Sequence, residues 1–202
     1  MDIDAILLDL GNVVLGVDFR RVFDCWSELS QVPSERFYSR WSIDAAYKEH
    51  EKGLIDFETY SDHLSQKFQI SLTQDQWSKG WNELWTQPIK STVDLLPELA
   101  SKFELYALSN TNLIHADFFK KEYEPELSDF HKIYISNEIG LRKPDVECFE
   151  YICEEIRVSP EKVFFLDDTL EHIAGAKSFG INAEQVTSEL GADQILKRTL
   201  GL

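Results

Sequence analysis

Positive charge is what this 202-residue chain has least of: 20 Lys and Arg stand against 36 Asp and Glu, a formal net charge of −16. Neutralising a nucleic-acid backbone needs a basic patch, so nucleic acid is excluded as an expected partner. Anionic membrane surfaces are disfavoured for the same reason. Long apolar runs are also lacking, and no stretch reaches the length of a membrane span. Cysteine is scarce: Cys25, Cys148 and Cys153 are too few and too irregularly spaced for a disulfide framework or a zinc site, and read as small hydrophobes. The first residues, Met1-Asp2-Ile3-Asp4, are acidic where a secretion signal is basic. A reduced, cytoplasmic setting is therefore expected.

What is present is unevenly spread. Residues 19–90 hold 9 of the Lys and Arg and 11 of the Asp and Glu, so nearly all of the acidic excess lies outside them. All five tryptophans (Trp26, Trp41, Trp77, Trp81 and Trp85) fall inside that stretch. Two composition regimes point to two modules, one inserted into the other.

Outside the stretch, short apolar runs read as buried parallel strands: 5–10, 103–108, 132–135, 163–166 and 181–186. Helical stripes lie between them, over 145–157 with Pro144 at the start and over 169–179 with Gly180 as the stop. This alternation predicts an α/β fold, a Rossmann-like doubly wound parallel sheet. Inside the stretch no strand is evident between residues 19 and 87. Helices are expected near 19–29, 34–48, 56–67 and 73–85, with breaks at Pro33, Gly53 and Ser71. The expected organisation is a core of 1–15 plus 90–202 and an all-helical insert of 16–89, whose aromatics mostly form its own core.

Four polar clusters fall where the strands end, which is where open α/β folds place their ligands. Asp9 closes the first apolar run, and a carboxylate there needs a partner or a metal ion. Ser109-Asn110-Thr111-Asn112 offers hydroxyl, amide and backbone donors suited to phosphate oxygens, or to a helix N-cap. Arg142-Lys143-Pro144 brings a positive charge, or is a solvated surface pair. Asp167-Asp168 places two repelling carboxylates side by side, an arrangement a hard divalent cation such as Mg²⁺ relieves. Together they make a phosphoryl-transfer set: a nucleophilic carboxylate, phosphate-holding groups, a neutralising Lys and a metal site.

In order and spacing, Asp9, Ser109, Lys143 and Asp167-Asp168 resemble the four motifs of the haloacid dehalogenase (HAD) superfamily, and the insert resembles its C1-type helical cap. More narrowly, Asp9-Leu10-Gly11-Asn12-Val13 and the segments around Ser109, Lys143 and Asp167 look like the bacterial α-D-glucose-1-phosphate phosphatase branch. The resemblance implies a Mg²⁺-dependent phosphatase acting on a small phosphorylated metabolite, glucose 1-phosphate first. It implies Asp9 as nucleophile and metal ligand. It implies the Gly11 carbonyl, Asp167 and Asp168 as further ligands, Ser109 and Asn110 as phosphoryl-binding residues, and Lys143 as the neutralising charge. Glu51 or His50 would meet a substrate hydroxyl.

Two residues depart from the pattern. Gly11 stands where most of these phosphatases carry a general-acid Asp, a loss shared by the branch it resembles. His172 stands where the branch carries Asn, and reads equally as a group orienting Asp168 or as a packing residue. Gly11 motivates an alternative, a catalytically weak pseudo-phosphatase that only binds its ligand. A haloacid dehalogenase is a second alternative, although halide displacement gives Asp167-Asp168 no task. Receiver domains use a similar set, but with the acidic pair ahead of the acceptor Asp, the reverse of the order here.

Overall fold

The structure is a computed structural model that describes residues 2–202. In chain order it runs β1 (Ala5–Leu8), β2 (Leu15–Val17), α1 (Phe19–Ser30), α2 (Glu35–Arg40), α3 (Ala45–Glu51), α4 (Phe57–Phe68), α5 (Gln74–Asn82) and β3 (Trp85–Pro88). It continues α6 (Lys90–Val93), α7 (Leu96–Lys102), β4 (Glu104–Ser109), α8 (Leu113–Glu122), α9 (Glu124–Leu127), β5 (Lys132–Ile135) and α10 (Ser136–Ile139). The last elements are α11 (Val146–Ile156), β6 (Val163–Asp167), α12 (Leu170–Phe179), β7 (Asn182–Gln185) and α13 (Ala192–Leu200).

Five strands form one parallel sheet in the order β5-β4-β1-β6-β7. All four residues of β1 are fully buried, because the sheet is covered on both faces and neither face tolerates polar side chains. Alternation divides the core in two. Ile6 and Leu8 join Leu105, Phe164, Phe119 and Leu196 on one face, while Ala5 and Leu7 join Phe165, Phe149, Ile152 and Ile173 on the other. β1 is flanked by β4, which leads outward to β5, and by β6, which leads outward to β7. The connections reverse direction at β1, so a crevice opens beyond its carboxyl end.

The five expected strands are all present, within two residues at each end. The insert differs in two respects. The helix expected over 34–48 is two helices, because Trp41 is extended and the Asp44 carboxylate accepts the Tyr47 N–H to begin α3 afresh. The helix expected over 73–85 ends at Asn82, and residues 85–88, in a stretch where no strand is expected, form β3, which pairs antiparallel with β2 as a two-stranded ribbon. These strands are too short to show periodicity, and nonlocal pairing decides them. Pro144 also lies before α11 rather than inside its first turn, since Asp145 is the N-cap. Gly180, at φ +104°, ends α12 as expected.

The helices of the insert are held by their aromatic stripes. Trp26 stacks on Trp81 with ring centroids 5.6 Å apart and meets Trp77 edge-on at 4.8 Å. The helices start on side-chain caps at Asp18, Asp56 and Thr73, the last a reciprocal capping box with Gln76. Each such cap is worth about 1 kcal/mol. Among the described residues no helix is long and apolar enough to cross a membrane. All three cysteines are free; Cys148 and Cys153 are buried, and Cys25 is half-buried.

Candidate active site

The four polar clusters converge. β1 delivers Asp9, β4 ends on Ser109, and β6 ends on Asp167, all at the same edge of the sheet. Lys143 arrives from the loop between α10 and α11, across a cis peptide bond to Pro144. Its side chain is wholly buried, not the solvated pair its neighbour Arg142 suggests in sequence. The ammonium donates to Asp9 Oδ1 at 2.8 Å, to Asp167 Oδ2 at 2.6 Å and to the Leu108 carbonyl at 2.7 Å. An ammonium has three protons, so every donor of Lys143 is used.

The electrostatics follow from burial and proximity. Burial raises the Asp9 carboxyl well above its ordinary range; Lys143 opposes that, and the Asp167 and Asp168 charges add to it. Burial also works against the Asp167 charge, but Lys143 and His172 outweigh it and hold that carboxyl low. Asp167 has both oxygens occupied: Oδ1 accepts the Thr169 N–H at 2.8 Å, and the His172 ring nitrogen Nδ1 lies 3.0 Å from each oxygen. His172 therefore contacts Asp167, not Asp168. Asp168 accepts from Asn12 Nδ2 at 3.0 Å and from the Thr169 hydroxyl at 3.1 Å.

Oxygens of Asp9, Asp167 and Asp168 lie within 4.8 Å of one another. Three carboxylates and one ammonium leave two negative charges unbalanced at a largely buried position, the charge and hard-oxygen donor set that a divalent cation fits. Gly11 follows in the turn after β1, two residues from Asp9. Ser109 is buried and lines the cavity above Asp9. Asn110 lines it too, but its amide is engaged with the main chain of Lys143: Oδ1 accepts from the Lys143 N–H at 2.9 Å and Nδ2 donates to the Lys143 carbonyl at 2.8 Å. This reciprocal pair fixes the peptide that aims the ammonium.

The cavity measures about 820 Å³ and is shared by both modules, with Tyr47, Lys48, Glu51 and Lys52 contributed by α3 and its end. Glu51 lines it, but its carboxylate is paired with Arg142. His50 does not reach it; its ring stacks on Tyr60 inside the insert, 4.6 Å between centroids. Three contributors are given no role by the sequence motifs. Asn12, present in the segment after Asp9 but assigned no role there, adopts φ +55° and uses its amide to hold Asp168 and to accept the Val17 N–H. Thr169 holds both acidic residues. Gln185 on β7 donates to the Asp168 carbonyl at 2.9 Å.

Comparison with known proteins gives a consistent picture. The chain is 24% identical over 197 residues to the D-ribitol-5-phosphate phosphatase of Bacteroides thetaiotaomicron, covering 95% of this chain and 94% of that protein. Its structure is similar to that of a HAD family enzyme from Bacteroides thetaiotaomicron in complex with magnesium and inorganic phosphate. That match has a TM-score of 0.82 and 28% identity, and covers 96% of this chain and 98% of the other. The L-2-haloacid dehalogenase of Xanthobacter autotrophicus, with chloropropionic acid covalently bound, shares the fold at a TM-score of 0.69 and 17% identity, over 98% of this chain and 83% of that one. A family model for haloacid dehalogenase-like hydrolases matches residues 3–180, a span containing every motif brought together around Asp9. By its motifs, its fold and this match, the chain belongs to the haloacid dehalogenase-like hydrolase family.

Proposed function

We propose that the chain is a Mg²⁺-dependent phosphatase that hydrolyses a small sugar or sugar-alcohol phosphate through an aspartyl-phosphate on Asp9. The observation that carries this reading is the Lys143 ammonium, held between Asp9 and Asp167 at the floor of a cavity lined by the core and the insert. Residues 16–89 act as the cap over a core of 1–15 and 90–202.

Asp9, the Gly11 carbonyl, Asp167 and Asp168 would hold Mg²⁺, which when bound supplies positive charge to the phosphoryl oxygens. Asp168 is the more exposed of the acidic pair and accepts only from the neutral Asn12 and Thr169 side chains, which suits direct contact, whereas the buried Asp167 is already paired with the Lys143 ammonium. Lys143 orients the Asp9 carboxylate and offsets charge as the phosphoryl group arrives. Ser109 and the backbone at Asn110 receive the phosphoryl oxygens. An Asp9 oxygen attacks phosphorus, the ester P–O bond breaks, and the leaving oxygen departs as an alkoxide that takes its proton from water. Water then attacks phosphorus, releasing phosphate and restoring the carboxylate. No side chain at Gly11 can protonate the leaving oxygen, which favours esters whose leaving oxygen is weakly basic, such as an anomeric one.

The ribitol-phosphate activity of the similar protein supports the sugar-alcohol class, and the branch resemblance points to α-D-glucose 1-phosphate. Phosphate release is measured from both esters within a metabolite panel, with Mg²⁺ and with EDTA, for the wild type and Asp9→Asn. Release that needs Mg²⁺ and vanishes in Asp9→Asn supports the reading. Chloride release from 2-chloropropionate without Mg²⁺ overturns it in favour of a dehalogenase. Ligand binding without turnover of any ester overturns it in favour of a binding module.

A further inference from the structure

The cavity above Asp9 has two unlike halves. Among the described residues, the core (1–15 and 90–202) lines it with no Val, Ile, Leu, Phe, Tyr or Trp side chain. All the side chains of those types that line it come from the insert, among them Val17, Phe19, Ile43 and Leu54. Val17 stands beside the nucleophile turn, its Cγ2 3.4 Å from where a Cβ on Gly11 would be. Phe19 begins α1, while Ile43 and Leu54 lie just before and just after α3. A ligand can touch this wall: Ile43 is 54% exposed and Leu54 69% exposed, and Val17 and Phe19 are half-buried. Apolar groups left accessible together at a cavity mark a binding surface.

The charged groups that the insert brings to the same cavity are largely answered within the protein. Glu51 is paired with Arg142 at 2.8 Å, and Lys52 with Asp145 at 3.0 Å. Lys48 and Glu49 are adjacent, opposite in charge and exposed to water. The insert therefore offers hydrocarbon, where the floor offers carboxylates, hydroxyls and the Lys143 ammonium.

In-line displacement fixes which half of the ester meets this wall. The attacking and leaving oxygens lie on opposite sides of phosphorus. With Asp9 at the end of β1, the alcohol half points away from the sheet and toward the insert. A hydroxyl pressed against the wall loses water without gaining a partner, whereas a methyl group gains by burial. Gly11 independently favours a weakly basic leaving oxygen, such as an anomeric one. We infer that the insert's apolar wall selects sugar 1-phosphates deoxygenated at the end far from phosphorus, the 6-deoxyhexose 1-phosphates. This rests on the phosphatase reading and names the sugar class within it.

The test compares kcat/KM on 6-deoxy-α-D-glucose 1-phosphate and on α-D-glucose 1-phosphate, which share the anomeric leaving oxygen and differ by one hydroxyl. Wild type should favour the deoxy ester about tenfold, the scale on which an apolar pocket discriminates against an added hydroxyl. Ile43→Thr/Leu54→Asn keeps the side chains close to their original size while making the wall polar, and should bring the ratio near one, with melting curves to verify folding. Equal values in wild type, or a preference for glucose 1-phosphate, would overturn the inference. So would a deoxy preference that survives in the double variant. If wild type hydrolyses no ester at all, the phosphatase reading fails on its own. Where these two esters are not turned over, calorimetric binding of each with Mg²⁺ to Asp9→Asn decides: tighter binding of the deoxy ester supports the apolar wall, while equal, reversed or absent binding overturns it.

Discussion

Arg142 and Glu51 form a buried ion pair across 91 residues of chain, Nη2 to Oε2 at 2.8 Å and Nε to Oε2 at 3.0 Å. Arg142 precedes Lys143 and Glu51 ends α3, so the pair ties the helical insert to the loop that carries the central ammonium. Lys52–Asp145 at 3.0 Å and Asn137 Nδ2 to the His50 carbonyl at 2.9 Å run beside it. Removing one partner strands a buried charge, so Glu51→Ala should cost about 3–5 kcal/mol in urea denaturation. Glu51→Leu/Arg142→Met should recover most of that loss. A Glu51→Ala protein as stable as wild type would show that the pair contributes nothing.

Gly175 lies where α12 passes the same loop. A Cβ there would come within 2.3 Å of the Pro144 carbonyl oxygen, a backbone atom that cannot swing aside. Gly175→Ala should therefore lower stability by about 1–3 kcal/mol. Because the displaced segment carries Lys143, kcat should fall as well. A variant with wild-type stability and turnover would exclude this steric coupling.

Two histidines should govern acid stability. Burial lowers His50 to about 4 and His115 to about 3. In the unfolded chain both protonate near 6.5, so the unfolded state takes up protons first as pH falls. Stability is full above about pH 6.5 and declines toward pH 4, by up to about 1.4 kcal/mol per pH unit for each histidine. The pH dependence of the melting temperature tests this, and His115→Gln should flatten the slope. A temperature constant from pH 6.5 to 4.5 would contradict it.

At Gly11 there is room for a side chain. A Cβ would meet Val17 Cγ2 at 3.4 Å and Asp9 Oδ2 at 3.8 Å, both ordinary contacts. Gly11→Asp should fold and place a carboxyl beside the nucleophile. Its rate on simple alkyl phosphates, whose leaving oxygens need a proton, should rise relative to α-D-glucose 1-phosphate. No gain on alkyl phosphates would show that a missing acid does not limit the enzyme.

Metal binding should register as stability. Mg²⁺ at about a hundred times its Kd would stabilise the fold by about 2.7 kcal/mol, reversed by EDTA. Asp168→Asn should lose most of that gain, since it removes one of the three clustered carboxylates. An equal shift in the variant would place the ion elsewhere.

The strands, the clusters that end them and the family resemblance were legible in the sequence because they are local. An apolar run such as Ala5–Leu8 stopped by Asp9, or Val163–Leu166 stopped by Asp167-Asp168, announces a buried strand and an unsatisfied charge within ten residues. What such patterns cannot carry is the choice of partner. Lys143 reaches Asp9 across 134 residues, and Asn110 uses its amide on the Lys143 main chain, where its sequence context suggests phosphate binding. Glu51 looks like a cavity carboxylate until Arg142 closes on it, and His50 faces away. The ribbon of Leu15–Val17 and Trp85–Pro88 exists only because its two halves meet. Length, charge and periodicity determined which residue types stand at the sheet's edge. Only the tertiary structure decided which of them are already satisfied, because hydrogen-bond satisfaction belongs to neighbours in space.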